Sequence, residues 1–230
     1  MTDNVNDCRL IVRPLAFHPS CDKDYLNASG KVILPPSVLQ KIMDISGNEV
    51  FTPISFLMIQ DEKELLSVGV EEFSAQEGYI YLPSFVMETY WIPYDTEVVL
   101  RYIKPEKGTK ISIQPHKTAF IDSKTKEKSF LEEYLKKYYP VLRAGTTILI
   151  KDDNEEYYIN ITQTTPNETI STLDTDLEVE FEKPLDYIEP PIAPPTPPPT
   201  PPPTNNVIEN IPMPRGHFVP FAGKGYRLGS

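Results

Sequence analysis

The sequence predicts a mainly β protein: a closed β-barrel of two similar halves, a smaller α/β domain after it, and a disordered proline-rich tail. Three observations carry this reading. Short runs of β-formers dominate the first hundred residues, as in Val32-Ile33-Leu34, Phe56-Leu57-Met58-Ile59, Tyr79-Ile80-Tyr81-Leu82 and Val98-Val99-Leu100. From Lys110 onward helical spacing appears between strand-like runs. Finally, ten prolines fall between Pro190 and Pro203, broken only by Ile192, Ala193, Thr196 and Thr200.

Two of the early runs continue alike. Ile33-Leu34-Pro35-Pro36-Ser37-Val38-Leu39 resembles Tyr81-Leu82-Pro83-Ser84-Phe85-Val86-Met87, with Pro35 and Pro83 48 residues apart. A strand should stop at each Leu-Pro, because proline cannot donate to a ladder yet fits the first helical turn. A short amphipathic helix is expected after each. The first should bury Val38, Leu39, Ile42 and Met43; the second Phe85, Val86, Tyr90 and Trp91. The internal echo predicts a barrel of two halves over residues 1–106.

The α/β domain is expected over residues 107–188, with its boundary near Lys104 to Gly108. Ile111-Ser112-Ile113 reads as a strand. Phe130, Leu131, Tyr134, Leu135 and Tyr138 recur at helical spacing with charged residues between them, and Pro140 closes that helix. Thr147-Ile148-Leu149-Ile150 and Tyr157-Tyr158-Ile159 form a hairpin about Asp152-Asp153-Asn154. Leu177, Val179 and Phe181 alternate with acids and complete the domain. Order should end near Tyr187. Residues 189–216 then form a linker whose proline run adopts polyproline II, holding a tail of residues 217–230 some ~40 Å away at ~3.1 Å per residue.

The 230 residues carry a formal net charge of −11. The polar start lacks the features of a signal peptide, and no apolar run approaches the ~20 residues that cross a bilayer. A soluble cytoplasmic or nuclear protein, with no membrane insertion, is expected. Two cysteines, Cys8 and Cys21, fit a reducing compartment and exclude a disulfide scaffold. The acidic balance argues against nucleic acid as a partner. After Thr204 the charge is +2, from Arg215, Lys224 and Arg227 against Glu209, which leaves −13 on the remainder.

No constellation of catalytic or metal-ligating residues stands out. His18, His116 and His217 are isolated, with no cysteine or carboxylate at ligand spacing, so neither a metal nor a cofactor is expected. Asp44-Ile45-Ser46-Gly47 and Asp174-Thr175-Asp176 both fail the Asp-Thr/Ser-Gly signature of aspartic proteases. Glu71-Glu72 and Asp152-Asp153 are adjacent pairs that a strand points to opposite faces, so they read as solvated charge. The expectation is a non-enzymatic adaptor. Two alternatives stand beside it: a hydrolase or protease with a dispersed site, and a scaffold for proline-binding modules, although the run lacks flanking basic residues. Convergent buried carboxylates on the barrel would favour the enzyme, and an apolar patch the adaptor.

The tail reads His217-Phe218-Val219-Pro220-Phe221-Ala222-Gly223-Lys224-Gly225-Tyr226-Arg227-Leu228. Phe218, Phe221 and Leu228 have no core of their own, and burying each on a partner contributes ~1.5–3 kcal/mol. Gly223 and Gly225 permit close backbone approach. Phe221-x-Gly223-x-Gly225-x-x-Leu228 resembles the SHP box, by which cofactors bind the N-terminal domain of the AAA-type ATPase valosin-containing protein. Upstream, Gly30-Lys31-Val32-Ile33-Leu34-Pro35-Pro36-Ser37, Glu77-Gly78-Tyr79-Ile80-Tyr81-Leu82-Pro83 and Phe181-Glu182-Lys183-Pro184-Leu185-Asp186-Tyr187 resemble the ubiquitin fusion degradation protein 1 family. That resemblance covers roughly Leu10 to Tyr187 and Phe218 to Leu228. It implies a double-psi β-barrel followed by an α/β subdomain. It also implies binding of ubiquitin or polyubiquitin by the folded region, and recruitment of ubiquitinated substrates to the ATPase, including in ER-associated degradation. A heterodimer with nuclear protein localization protein 4 is implied too. That partner contacts a C-terminal segment in the family and this chain stops soon after the box, so the heterodimer is the weakest of these expectations. The ubiquitin-contacting residues carry no local motif.

Overall fold

Six strands close a barrel in the computed structural model, which describes residues 7–19, 24–47, 52–122, 128–152 and 155–189. They are β1 (Asp7–Pro14), β2 (Lys31–Ile33), β3 (Ser55–Gln60), β4 (Lys63–Glu72), β5 (Tyr79–Leu82) and β6 (Glu97–Ile103). Round the barrel their order is β1-β5-β2-β4-β3-β6, with β6 pairing back to β1. The β1/β5 and β2/β4 pairs are parallel and the other four antiparallel. Exchanging β1 with β4, β2 with β5 and β3 with β6 reproduces every pairing. The barrel therefore consists of two interleaved halves, each with the same strand order.

The repeated Leu-Pro step falls where this exchange requires it. Strand β2 leads into α1 (Pro36–Ser46) and β5 into α2 (Ser84–Thr89), with both strand starts and both helix starts 48 residues apart. Pro35 and Pro83 are the N-caps, extended at ψ 153° and 142°. Helix α1 ends on Gly47 in the left-handed conformation, φ 62°, which glycine adopts without a Cβ penalty. The buried faces are narrower than predicted. Val38 and Ile42 are buried, but Leu39 and Met43 only half so; Phe85 and Val86 are buried, whereas Tyr90 is half-buried and Trp91 is exposed. Helical spacing does not extend past Thr89. Trp91 turns left-handed at φ 54°, and Ile92 takes the core position instead.

Beyond the barrel come β7 (Glu106–Lys107), β8 (Lys110–Pro115), α3 (Ala119–Asp122), α4 (Lys128–Tyr138), β9 (Val141–Arg143), β10 (Thr146–Asp152), β11 (Glu155–Thr165), β12 (Thr169–Ser171) and β13 (Glu178–Phe181). One sheet runs β10-β11-β8-β13 and a smaller one β7-β12-β9. The expected hairpin is β10 against β11, with Leu149 opposite Tyr158 and Ile150 opposite Tyr157. Helix α4 carries Leu131, Tyr134 and Leu135 into the core, which runs on from the barrel without a break. Its C-terminal end presses on the barrel. Gly30 donates to the Tyr138 carbonyl at 2.9 Å, Gly69 donates to the Gly30 carbonyl at 2.9 Å, and the Pro140 ring lies over Gly69 so closely that a Cβ there would overlap it. The proline run, the tail and Cys21 lie outside the described residues.

Candidate partner-binding surface

The docking residues read from the sequence, Phe218, Phe221, Gly223, Gly225 and Leu228, lie outside the described residues. The described body shows which polar side chains are buried and how its carboxylates are paired. Its buried polar side chains are His18, five serines and two threonines; no aspartate or glutamate is among them. A cavity of about 850 Å³ among the described residues is lined by residues of β1, β3, β4 and β6. Three of its carboxylates turn to cations: Asp7 to Arg101 at 3.0 Å, Glu97 to Arg9 at 3.2 Å, and Glu64 to Arg143 at 2.7 Å. No group of side chains suited to a metal occurs among the described residues.

A serine–histidine contact was invisible in the sequence. Ser74 Oγ lies 3.2 Å from His18 Nε2 and also donates to the Glu72 carboxylate. His18 is buried edge-on against Tyr81, centroids 4.9 Å apart, which fits a packing role.

Apolar exposure is the more prominent feature. Trp91, 88% exposed, and Tyr94, 64% exposed, stand on the turn between α2 and β6. Both flanks of the indole are fixed. On one side Ile92 is buried. On the other, the Tyr90 hydroxyl accepts from Thr147 N–H at 2.9 Å and donates to the Thr147 carbonyl at 3.5 Å. A left-handed tryptophan is strained by ~1–3 kcal/mol, and such strain persists where the surroundings over-determine it. Here the strained residue presents its indole to solvent.

Tyr90 is the first of three phenols along the outer edge of β10. Tyr139 Oη accepts from Leu149 N–H at 2.9 Å and donates to its carbonyl at 2.8 Å, while Tyr134 Oη accepts from Lys151 N–H at 3.0 Å. Thr147, Leu149 and Lys151 are alternate residues, so the hydroxyls stand in for a missing neighbour strand. Burial raises all three phenols above the usual tyrosine range, Tyr134 to about 12.

Two further apolar surfaces accompany the Trp91 turn. Phe130, Tyr134 and Tyr138 stack along α4 with centroids 5.7 and 4.5 Å apart, over a cavity of about 330 Å³ edged by Lys137 and Lys151. After β13, Leu185, Tyr187 and Ile188 are exposed on the last described segment.

Comparison with known proteins gives these surfaces a context. A family model described as "Ubiquitin fusion degradation protein UFD1, N-terminal subdomain 1" matches residues 8–106, and one described as "N-terminal subdomain 2" of the same protein matches residues 107–184. The chain is 31% identical over 178 residues to the ubiquitin fusion degradation protein 1 homolog of Dictyostelium discoideum, covering 75% of this chain and 51% of that protein. It is 30% identical over 196 residues to ubiquitin fusion degradation protein 1 of Schizosaccharomyces pombe, covering 81% and 55%. To the human ubiquitin recognition factor in ER-associated degradation protein 1 it is 28% identical over 169 residues, covering 74% and 54%. The chain spans about half the length of the curated relatives it matches.

Proposed function

The chain belongs to the ubiquitin fusion degradation protein 1 family, and from that premise we propose that it is a non-enzymatic adaptor in ubiquitin-dependent protein degradation. In this reading the body binds ubiquitin or polyubiquitin, and the tail carries the captured substrate to the ATPase valosin-containing protein. The single observation behind it is that the two family regions together span residues 8–184, nearly all of the folded body. The human relative is named a ubiquitin recognition factor in ER-associated degradation, and the same role is proposed here. The interleaved pairing of β1/β5 and β2/β4 is read as the double-psi arrangement, with subdomains of residues 1–106 and 107–188. Attachment to the ATPase rests on the SHP-like residues Phe221, Gly223, Gly225 and Leu228; nuclear protein localization protein 4 is a further candidate partner.

The Trp91–Tyr94 turn is the ubiquitin-facing surface in this proposal, because it offers apolar area on a fixed backbone. Trp91 is the only tryptophan in the chain and serves as its own reporter. Titrating ubiquitin chains into the full-length protein should shift its emission to shorter wavelength with saturable binding. Trp91→Ala should weaken that binding about tenfold, as the loss of an interface aromatic does. Absence of binding at high micromolar chain concentration would overturn the function. Binding with unchanged emission would move the contact elsewhere on the body.

A further inference from the structure

Strand β13 is the outermost strand of its sheet, and among the described residues it is held on one side only. Glu178 N–H donates to the Thr109 carbonyl at 2.9 Å and Glu182 N–H to the Ile113 carbonyl at 2.8 Å. In this parallel register alternate residues face β8, so Val179 and Phe181 turn their N–H and C=O groups the other way. Among the described residues nothing meets those groups. The segment that follows is pinned on the same single side. Leu185 N–H donates to the Pro115 carbonyl at 3.0 Å, Gln114 donates to the Lys183 carbonyl at 3.1 Å, and Asp186 accepts from the Thr118 N–H at 2.7 Å and hydroxyl at 2.6 Å.

The open side therefore belongs to a fixed backbone, not to a loose end. It also shows apolar surface: Phe181 is exposed beside α3, where its ring meets Phe120 at 6.4 Å, and Leu185, Tyr187 and Ile188 are exposed beyond it. A sheet edge of this kind is a template for another strand. Its charge selects among candidates. From Asp174 to Glu189 there are seven carboxylates and one lysine, a net charge of −6, offset in part by Lys110 of β8, which pairs with Glu180 at 3.0 Å. A second copy of the same edge would set glutamates against glutamates, so self-pairing is disfavoured.

The geometry points to β13 as a docking edge for an extended basic segment of another protein, one that adds a strand with lysine or arginine at alternate positions. Main-chain bonds to Val179 and Phe181 hold the segment, Phe181 and Leu185 receive its apolar side chains, and the row of carboxylates meets its cations. This surface shares no residue with the Trp91 turn.

The probe is a short labelled peptide of alternating lysine and valine, titrated into the full-length protein by fluorescence anisotropy and by amide NMR. The expected result is saturable binding with shifts confined to residues 178–189 and slowed exchange of the Val179 and Phe181 amides. N-methylating the peptide's strand-facing amides should reduce affinity at least about tenfold, as should replacing its lysines by glutamates. Val179→Pro, which removes one N–H, should do the same in a protein that still melts cooperatively. Equal binding of the methylated or the acidic peptide, shifts centred elsewhere, or self-association through β13 would each overturn the assignment. None of these readouts involves ubiquitin, so the docking edge and the ubiquitin reading fail separately.

Discussion

The Tyr139 hydroxyl satisfies both main-chain groups of Leu149 in a fully buried setting, and that makes it the costliest atom to remove from the β10 edge. Tyr139→Phe keeps the ring and its packing but leaves one N–H and one C=O without a partner. Unsatisfied buried groups cost ~1–3 kcal/mol each, so the expected loss is about 2–4 kcal/mol in urea unfolding. A loss under ~0.5 kcal/mol would show that water replaces the phenol. The raised phenols set a pH dependence with a defined sign. Their folded values lie above the unfolded value near 10, so the neutral form is favoured in the fold and the stabilisation is complete below that pH. It should fall away as pH climbs from about 10 towards 12 through Tyr134, and the fall should be shallower in Tyr134→Phe. The spacing of Tyr134 and Tyr138 was legible in the sequence as a helix stripe. The destination of each hydroxyl was not, because it depends on a sheet edge contributed by residues further along the chain.

Among the elements, those with local punctuation were the readable ones. Leu-Pro marks the junctions of β2 with α1 and of β5 with α2, and Pro140 follows the end of α4. Strand β4 carries no such signal. The β3–β4 turn uses Asp61 and Glu62, both left-handed at φ 48° and 65°, where a hairpin ordinarily advertises itself with glycine or asparagine. Gly69 within β4 weakens its strand pattern further. The structural reason for that glycine is tertiary, since the Pro140 ring occupies the space a side chain would need. Gly69→Ala should therefore force the end of α4 off the barrel and cost about 1–3 kcal/mol, seen as a lower midpoint in thermal unfolding. An unchanged midpoint would mean that the proline ring yields freely. Strand β1 was missed for a different reason: Arg9 and Arg13 sit beside the buried Leu10 and Val12, and so short an alternation with charges is weak in isolation.

On the scale of the whole molecule, an acidic body of charge −13 is joined through the proline run to a tail of charge +2. The tail box is a proposal that a sequence alone can raise, because a linear motif holds all its residues in one stretch; the exposure of Trp91 was not legible, since only folding decides which aromatics stay outside. Few contacts must carry the affinity of so short a segment. Phe221→Ala in a peptide spanning Pro214 to Ser230 should cost ~2–4 kcal/mol of binding to the isolated N-terminal domain of the ATPase, by analogy with interface hot spots. Lys224→Ala should change it little, since exposed charges are screened by salt. Calorimetry giving equal affinity for the parent and Phe221→Ala peptides would remove the tail from the docking model. The interleaving of the barrel has its own consequence for how the protein is made. Strands β1 and β2 find their parallel partners only in β5 and β4, and β3 and β1 both need β6 beside them. A chain emerging from the ribosome cannot close the first half and wait for the second, because neither half supplies its own neighbours. The barrel cannot close until Ile103 has cleared the exit tunnel, because β6 alone joins β3 to β1. Closure of the barrel is then a late event, and an early stop in synthesis leaves the edges of β1 and β3 unpaired rather than a smaller working domain.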